Sequence, residues 1–382
     1  MTQLPPVLYR GSVKNVRGVV SAQDLLFEFS DRFSVFDWGE MPDALDEKGK
    51  TLAVMGKSFF KHLGNPASWE NLFQSQALIN NFDNDYLETL SHSYLYKKLK
   101  TFGLFHHALL EEREIELNSP YLKVKNISVL RPPMVEEKYD YSVYATKPVN
   151  ALVPLEVIFR LGLPPGNSLS KRLGSDLAKW ETYGFSEVPQ MGLLKKPVID
   201  FSTKLERGDR YIDYKEAMAI SHMNEAEFNE LREMTALIGL NLFKFHAEMG
   251  LTLLDGKIEV AFIQDIHGKR SFMLVDSIGI DELRLLYKGK SFSKEFLREF
   301  YKKSSWYDCL EAAKRDATIY GGDFKSLCQE KYQSTPLPLD EYTKMRAEAV
   351  YKSYANEVSK RINGVAVFGE EFNLNEYSMR YM

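Results

Sequence analysis

The sequence predicts an α+β protein with a β-rich N-terminal lobe, residues 1–115, and a larger mixed lobe, residues 116–382, with a cleft between them as the default ligand site. Three observations carry this. The first forty residues read as short strands, the clearest helix runs from about Glu225 to Met249, and the stretch after it reads as a hairpin. The opening strands are VLYRGSVKNVRGVV and LLFEFSD, with a polar turn from Ser21 to Asp24 between them. Leu52 to Leu63 and Tyr86 through Leu110 look helical, with Gly64-Asn65-Pro66 as a break. Strand-like segments return at Lys123 to Leu130 and Val153 to Phe159, the latter running into the loop LGLPPGNS. Helix 225–249 has Asn224 and Glu227 in a capping-box pattern, apolar residues at helical spacing from Phe228 to Phe245, and Gly250 as its stop. A second helix, about Asp340 to Arg361, follows Pro-Leu-Pro, and the last twenty residues take no assignment.

The hairpin Asp255 to Asp276, DGKIEVAFIQDIHGKRSFMLVD, is the most informative stretch. With His267-Gly268 as a two-residue turn, Glu259 falls directly opposite Asp276, and Lys257 shares the face of Glu259. Like charges facing each other across a sheet are destabilising, whereas two carboxylates a few ångströms apart suit a hard divalent cation that also takes phosphate oxygens. Lys-x-Glu beside a strand ending in Asp therefore suggests a magnesium-nucleotide site. A solvated hairpin with compensating charges is the competing reading.

Composition narrows the function classes. The chain has 382 residues, 44% hydrophobic and 27% charged, enough for two or three packed units. A net charge of −4 gives no electrostatic reason to expect a nucleic-acid partner. Two cysteines, Cys309 and Cys328, are too few for a disulfide framework or a zinc site. The seven histidines show no metal-ligand spacing: His106 and His107 are adjacent, and a lone helical His246 is more often structural. No apolar run reaches the ~20 residues that span a bilayer, and MTQLPPVLYRG lacks a signal-peptide pattern, so the expected location is the cytoplasm.

Several segments, in order, resemble the SAICAR synthetase family of purine biosynthesis. LYRGSVKNV is similar to its opening Y-R-G-K-x-[KR]-x-V, LLFEFSDRFSVFD to its S-D-R-x-S-x-F-D strand, and DEKGKTL to its K-G-x-x-L. LVPLEVIFRLGLPPGNSLSKRL looks like V-P-x-E-x-x-x-R with its Gly-Ser loop, DFSTKLERGD like P-S-T-K, and LTLLDGKIEVAF like the D-x-K-x-E strand. SFSKEFLREF and PLPLDEYTKMRAEAVYKSY match the last elements, so the resemblance covers roughly residues 8 to 360.

The resemblance implies a β-rich lobe over a larger α+β lobe with ATP between them. It puts Gly11 and Lys14 at the nucleotide phosphates, Leu152 at the adenine edge, Lys257 against phosphate charge, and Glu259 and Asp276 on Mg2+. It puts Arg160, Ser168 and Arg284 at a ribonucleotide substrate, and Lys204 and Asp209 at an amino acid. The implied reaction is ATP-dependent ligation of L-aspartate to a ribonucleotide carboxylate through an acyl phosphate, with Lys257, Glu259 and Asp276 catalytic and both organic partners small molecules.

Departures from the family pattern cluster near the chemistry. Ser12 stands where the family usually has a lysine, Ser277 to Arg284 keeps Asp281 and Arg284 but not the family's adjacent acid and hydroxyl, and Asp209-Arg210-Tyr211 lacks the family's histidine. A relative that ligates another amine or carboxylate therefore stays open, as does a non-catalytic nucleotide-binding protein. A phosphotransferase has no H-R-D or D-F-G segment to support it. Self-assembly is also left open, including any part played by the stretches around 131–150 and 307–333.

Overall fold

The computed structural model describes residues 4–110 and 116–382. Its strands are β1 Val7–Arg10, β2 Lys14–Arg17, β3 Asp24–Phe29, β4 Tyr121–Lys125, β5 Met134–Val135, β6 Lys138–Tyr139, β7 Ala151–Leu152, β8 Leu155–Leu163, β9 Gly192–Thr203, β10 Tyr211–Ile212, β11 Leu251–Gln264, β12 Arg270–Val275, β13 Leu283–Tyr287 and β14 Lys290–Ser291. Its helices are α1 Lys48–Gly64, α2 Gln76–Ile79, α3 Asn84–Ser91, α4 Tyr94–Phe102, α5 Ser168–Leu173, α6 Leu177–Glu181, α7 Tyr214–Ser221, α8 Glu225–Ala247, α9 Glu295–Lys302, α10 Ser305–Tyr320, α11 Phe324–Glu330, α12 Glu341–Asn363 and α13 Leu374–Tyr381. The expected α+β class is observed.

The chain divides into two compact units, each discontinuous in sequence: Met1–Ser58 with Leu109–Val124 and Lys290–Met382, and Phe59–Ala108 with Lys125–Gly289. Both expected lobes, 1–115 and 116–382, are shared between these units.

The first unit holds a sheet of order β1-β2-β3-β4. The C-terminal helices belong here too. On α12 the ammonium of Lys352 meets Asp46 at 2.8 Å and Glu47 at 3.1 Å, and the Asn356 amide bonds the backbone of Val367, Phe368, Gly369 and Phe372. That amide staples the returning tail, which ends in α13. Asn373 accepts from the Glu376 N–H at 3.0 Å, so Asn-x-x-Glu marks a helix start in the last twenty residues, where none is expected from sequence.

The second unit is built on a sheet of order β10-β9-β8-β11-β13, with β7 and β12 against the far half of β11. The helix α8 lies across one face of it. The Phe201 ring packs on Phe228 at 5.1 Å, and Gly239 lets the Phe159 ring approach so closely that a Cβ would sit 3.0 Å from it. The helix starts where the capping box places it, with Asn224 and Glu227 bonding reciprocally at 2.8 and 2.9 Å. The helical stretch expected from Tyr86 through Leu110 is instead two helices, α3 and α4. Ser93 caps the second through the Tyr96 N–H, and Gly103, at φ +71°, ends it. The stretches 131–150 and 307–333 carry, respectively, the β5–β6 hairpin with a short 3-10 turn, and α10 with α11.

Candidate active site

On three neighbouring strands the alternation of side chains puts charge on one face and apolar bulk on the other. In β8, Val157 and Phe159 face α8, so Glu156, Ile158 and Arg160 face away from it. The register pairs Arg160 with Asp255 and Ile158 with both Lys257 and Asp200, while Arg284 of β13 also pairs with Asp255. One rung thus reads Arg284–Asp255–Arg160, the next Lys257–Ile158–Asp200, and Glu156 sits opposite Ser202 beyond them. Gly256, between Asp255 and Lys257, lies on the packed side, where a Cβ would come within 2.3 Å of Phe159 Cζ and 2.7 Å of Leu283 Cδ2.

The first charged network centres on Glu156, which is only 3% exposed. Its Oε1 lies 2.6 Å from Lys257 Nζ and 3.2 Å from Lys204 Nζ, while Ser202 Oγ donates to Oε2 at 3.3 Å. Lys204 also reaches Glu259 at 2.7 Å, so its ammonium bridges two carboxylates. Burial works against charge on Glu156, but Lys257 and Lys204 outweigh it and hold the carboxyl below its usual range. The same carboxylates raise Lys204 and Lys257 against the burial that opposes their charge. Asp209 has an exposed residue surface, yet its carboxyl is partly buried against Glu156; that burial and the Glu156 charge push it up to about 6.

The second network centres on Asp200, which is completely buried. Its Oδ2 accepts from Arg160 Nε at 3.0 Å and Nη2 at 2.8 Å, and from Arg172 Nη2. Arg160 Nη2 also reaches Ser168 Oγ at 3.0 Å, and Asp255 Oδ2 lies 3.8 Å from Arg160 and 3.2 Å from Arg284. Arg160 is desolvated, and the charges of Asp200 and Asp255 more than restore its preference for the cation.

The structure thus brings together Arg160, Ser168 and Arg284 in one network, and Lys204, Asp209, Lys257 and Glu259 in the other. The facing of Glu259 and Asp276 is corrected. Glu259 pairs with Val275, one residue out from the expected register, because the hairpin closes through a three-residue loop. Asp265 and Lys269 are its base, the Asp265 carboxylate accepts from the His267 and Lys269 N–H groups at 2.9 and 2.8 Å, and Gly268 takes φ +76°. Asp276 follows the last residue of β12 at φ +65°, and its carbonyl accepts from His107 Nε2 at 3.0 Å. The carboxylate that was expected to need relief from a facing acid instead rests on Lys204.

Leu152 lies in β7 beside Ala261, in an apolar cluster with Met273 and Val275. Its N–H donates to Ser128 O at 2.8 Å, and its carbonyl accepts from Tyr144 Oη at 3.1 Å. Gly11 and Lys14 belong to the first unit, at the β1–β2 turn. Gly11 N–H donates to Lys14 O at 2.8 Å, and a Cβ on Gly11 would stand 2.8 Å from that oxygen, which explains the glycine. Lys14 Nζ sits 4.4 Å over the Phe27 ring.

Glu156, Asp200, Asp255, Arg172 and Tyr211 take no role from the sequence, although Glu156 and Asp255 are acids of the V-P-x-E-x-x-x-R and D-x-K-x-E segments. The signal was present in part: in PLEVIFR, Glu156 and Arg160 are four apart and so share a strand face, and Asp255-x-Lys257-x-Glu259 extends the same alternation. An acid inside an otherwise apolar strand, as at VIDF, needs a buried cation, and a single sequence does not say which.

A long helix backing a sheet whose other face carries paired carboxylates, lysines and arginines defines an α+β protein built to handle anionic groups. The SAICAR synthetase family model matches residues 7–313, and this chain belongs to that family. Over 339 residues, 88% of each chain, it is 33% identical to an Archaeoglobus fulgidus protein named "Putative phosphoribosylaminoimidazole-succinocarboxamide synthase". It is 24% identical over 318 residues to the phosphoribosylaminoimidazole-succinocarboxamide synthase of Thermoplasma acidophilum, covering 81% of this chain and 87% of that one. The SAICAR synthase of Saccharomyces cerevisiae, solved in complex with SAICAR, shares the fold at TM-score 0.51 and 19% identity, over 93% of this chain and 95% of that one.

Proposed function

We propose that this chain ligates L-aspartate to the carboxylate of carboxyaminoimidazole ribonucleotide at the expense of ATP, giving SAICAR, ADP and phosphate. The observation that carries this reading is the continuous charged sheet face of the second unit, in a chain that belongs to the SAICAR synthetase family. A carboxylate is a poor acyl donor at neutral pH. Transfer of the γ-phosphoryl group to one of its oxygens releases ADP; the aspartate amine then bonds to the acyl carbon, phosphate leaves with that oxygen, and the amine gives up its proton. Both steps move negative charge, so fixed cations matter more than a protein nucleophile.

Lys257 and Lys204 supply those cations, held in place by Glu156. Gly11 and Lys14 serve the nucleotide phosphates, and Leu152 the adenine edge. Arg160, Ser168 and Arg284 serve the ribonucleotide. Lys204 and Asp209 serve the amino acid, one cation for its carboxylates and one acid for its ammonium. Glu259 and Asp276 are hard oxygen donors, and among the described residues no group of three or more His, Cys, Asp or Glu side chains is arranged to hold a metal. Glu259 pairs with Val275 and lies 2.7 Å from Lys204, so the assignment of Mg2+ to Glu259 and Asp276 rests on the family's D-x-K-x-E strand and not on a facing pair. The ion would complete its shell with phosphate oxygens and water and neutralise phosphate charge. Among the described residues no helix is long and apolar enough to cross a membrane. Cys309 and Cys328 are free thiols, which suits a reducing cytoplasm.

The test is ADP release with carboxyaminoimidazole ribonucleotide, with and without L-aspartate, followed by a panel of other amines. Release that requires aspartate is the expected result. Strong preference for another amine contradicts the assignment of the acceptor.

A further inference from the structure

The stretch 131–150 closes on itself and then reaches across to the loop that carries Lys204 and Asp209. Tyr144 is completely buried, and its hydroxyl lies 3.1 Å from both the Leu130 and the Leu152 carbonyl oxygens. Lys147 meets Glu227 of the α8 capping box at 3.2 Å. The β5–β6 hairpin sets Met134 opposite Tyr139 through a two-residue turn in which Glu136 and Glu137 take φ +47° and +63°. Two tyrosines after that turn grip the loop 203–210. Tyr139 Oη accepts from the Arg207 N–H at 2.9 Å, and Tyr141 Oη donates to Glu206 Oε1 at 3.0 Å. Burial and the Glu206 charge push the Tyr141 phenol up, so it keeps the proton it donates.

The loop has a fixed base. Thr203 N–H donates to Arg210 O at 3.0 Å, and Arg210 N–H to Thr203 Oγ1 at 3.2 Å. Arg210 also holds Glu206 through Nε and Nη2 at 3.2 and 3.1 Å, and its Nη1 meets Glu216 of α7 at 2.8 Å. Lys204 and Asp209 stand just inside that base, next to Thr203 and Arg210 in sequence.

We propose that the β5–β6 hairpin is a brace for the acceptor site: Tyr139 and Tyr141 are positioning residues that hold loop 203–210 so that Lys204 and Asp209 meet the amino acid together. The inference rests on the ligase reading for the identity of that ligand. Without the two hydroxyls the loop tip loses these ties, and the amino acid must order it on binding. That ordering cost appears as weaker affinity for the amino acid alone.

Tyr139→Phe and Tyr141→Phe each remove one hydroxyl and keep the ring. KM for L-aspartate should rise roughly three- to tenfold in Tyr139→Phe, and about tenfold or more in Tyr141→Phe, whose bond goes to a carboxylate. kcat at saturating L-aspartate should hold, as should KM for ATP and for the ribonucleotide. A tyrosine that merely stabilised the fold would lower the active fraction, and so kcat, with KM for L-aspartate unmoved. Hydrogen–deuterium exchange of the full chain reads the loop without turnover: amides of 205–209 should exchange faster in both variants, with those of β11 still protected. Faster exchange with wild-type KM for L-aspartate overturns the proposal, as does unchanged exchange in both variants. If another amine is preferred, the same rise should appear in its KM. ADP release independent of every amine overturns the ligase reading and this proposal with it, whereas amine-dependent release with wild-type KM in both variants overturns this proposal alone.

Discussion

Glu156 is ionised where ionisation is costly, and the two lysines on its Oε1 make it tolerable. Glu156→Gln keeps the shape and removes the charge, leaving Lys257 without its carboxylate and Lys204 with Glu259 alone. The expected cost is about 1.5–3 kcal/mol in urea unfolding, with a larger loss of turnover, because the cations lose their fixed positions. Asp209 titrates in the opposite sense. Its carboxyl is raised from 3.8 to about 6, so the folded state favours the protonated acid. Its contribution to stability is complete below pH 4 and is lost as pH rises through about 6. Asp209→Asn should abolish that loss: its melting temperature should gain on wild type between pH 4 and pH 7, while KM for aspartate rises and ATP affinity holds. A constant difference in melting temperature across that range contradicts the Glu156–Asp209 coupling. Arg160→Lys should lower both stability and ribonucleotide affinity, since no lysine reproduces two bonds to Asp200 and one to Ser168; unchanged kcat/KM for the ribonucleotide contradicts its assignment. Of these residues the sequence pointed to Arg160 and Asp209, whose side chains stand in recognisable segments. Glu156 stands in the same V-P-x-E-x-x-x-R segment as Arg160, but neither it nor Asp200 is given a role by sequence, because a buried acid is defined by its partners rather than by its neighbours in the chain.

At the scale of elements, β11 carries the candidate site. Asp255, Lys257 and Glu259 point one way, and Gly256 and Ile258 the other, so the strand presents charge only if its packed side closes tightly on β8 and β13. Gly256→Ala puts a methyl group into Phe159 and Leu283, and overpacking of this kind costs typically 1–3 kcal/mol. Chemical unfolding should register that loss, and turnover should fall further as the three charged side chains shift together. Wild-type stability in Gly256→Ala would mean that the ring of Phe159 yields easily. The hairpin after β11 shows how far sequence reaches here. Both strands were legible from alternation, but DIHGK accommodates a two- or a three-residue loop, and one residue decides which side chains face each other. The preference of Asp265 for capping two N–H groups, with Gly268 at φ +76°, settled the longer loop. Capping boxes were more reliable, because Asn224-x-x-Glu227 specifies its own bonds locally.

For the whole molecule, class and family were legible and the partition was not. The order of segments from VLYRGSVKNV to PLPLDEYTKM survives because each matches a local element, whereas both compact units are assembled from pieces distant in sequence. The chain passes from the first unit to the second after Ser58, back for Leu109–Val124, out again through Lys125–Gly289, and returns from Lys290 onward with α9 to α13. The chemistry proposed for that sheet is an acyl phosphate formed on the ribonucleotide carboxylate. Isotope tracing tests it most directly. With the carboxylate of carboxyaminoimidazole ribonucleotide labelled with oxygen-18 and L-aspartate and MgATP present, mass spectrometry of the released phosphate should find a labelled oxygen transferred from the substrate in each turnover. Phosphate free of label, released together with ADP at the same rate, would mean that water rather than the substrate carboxylate takes the phosphoryl group, and would contradict the account.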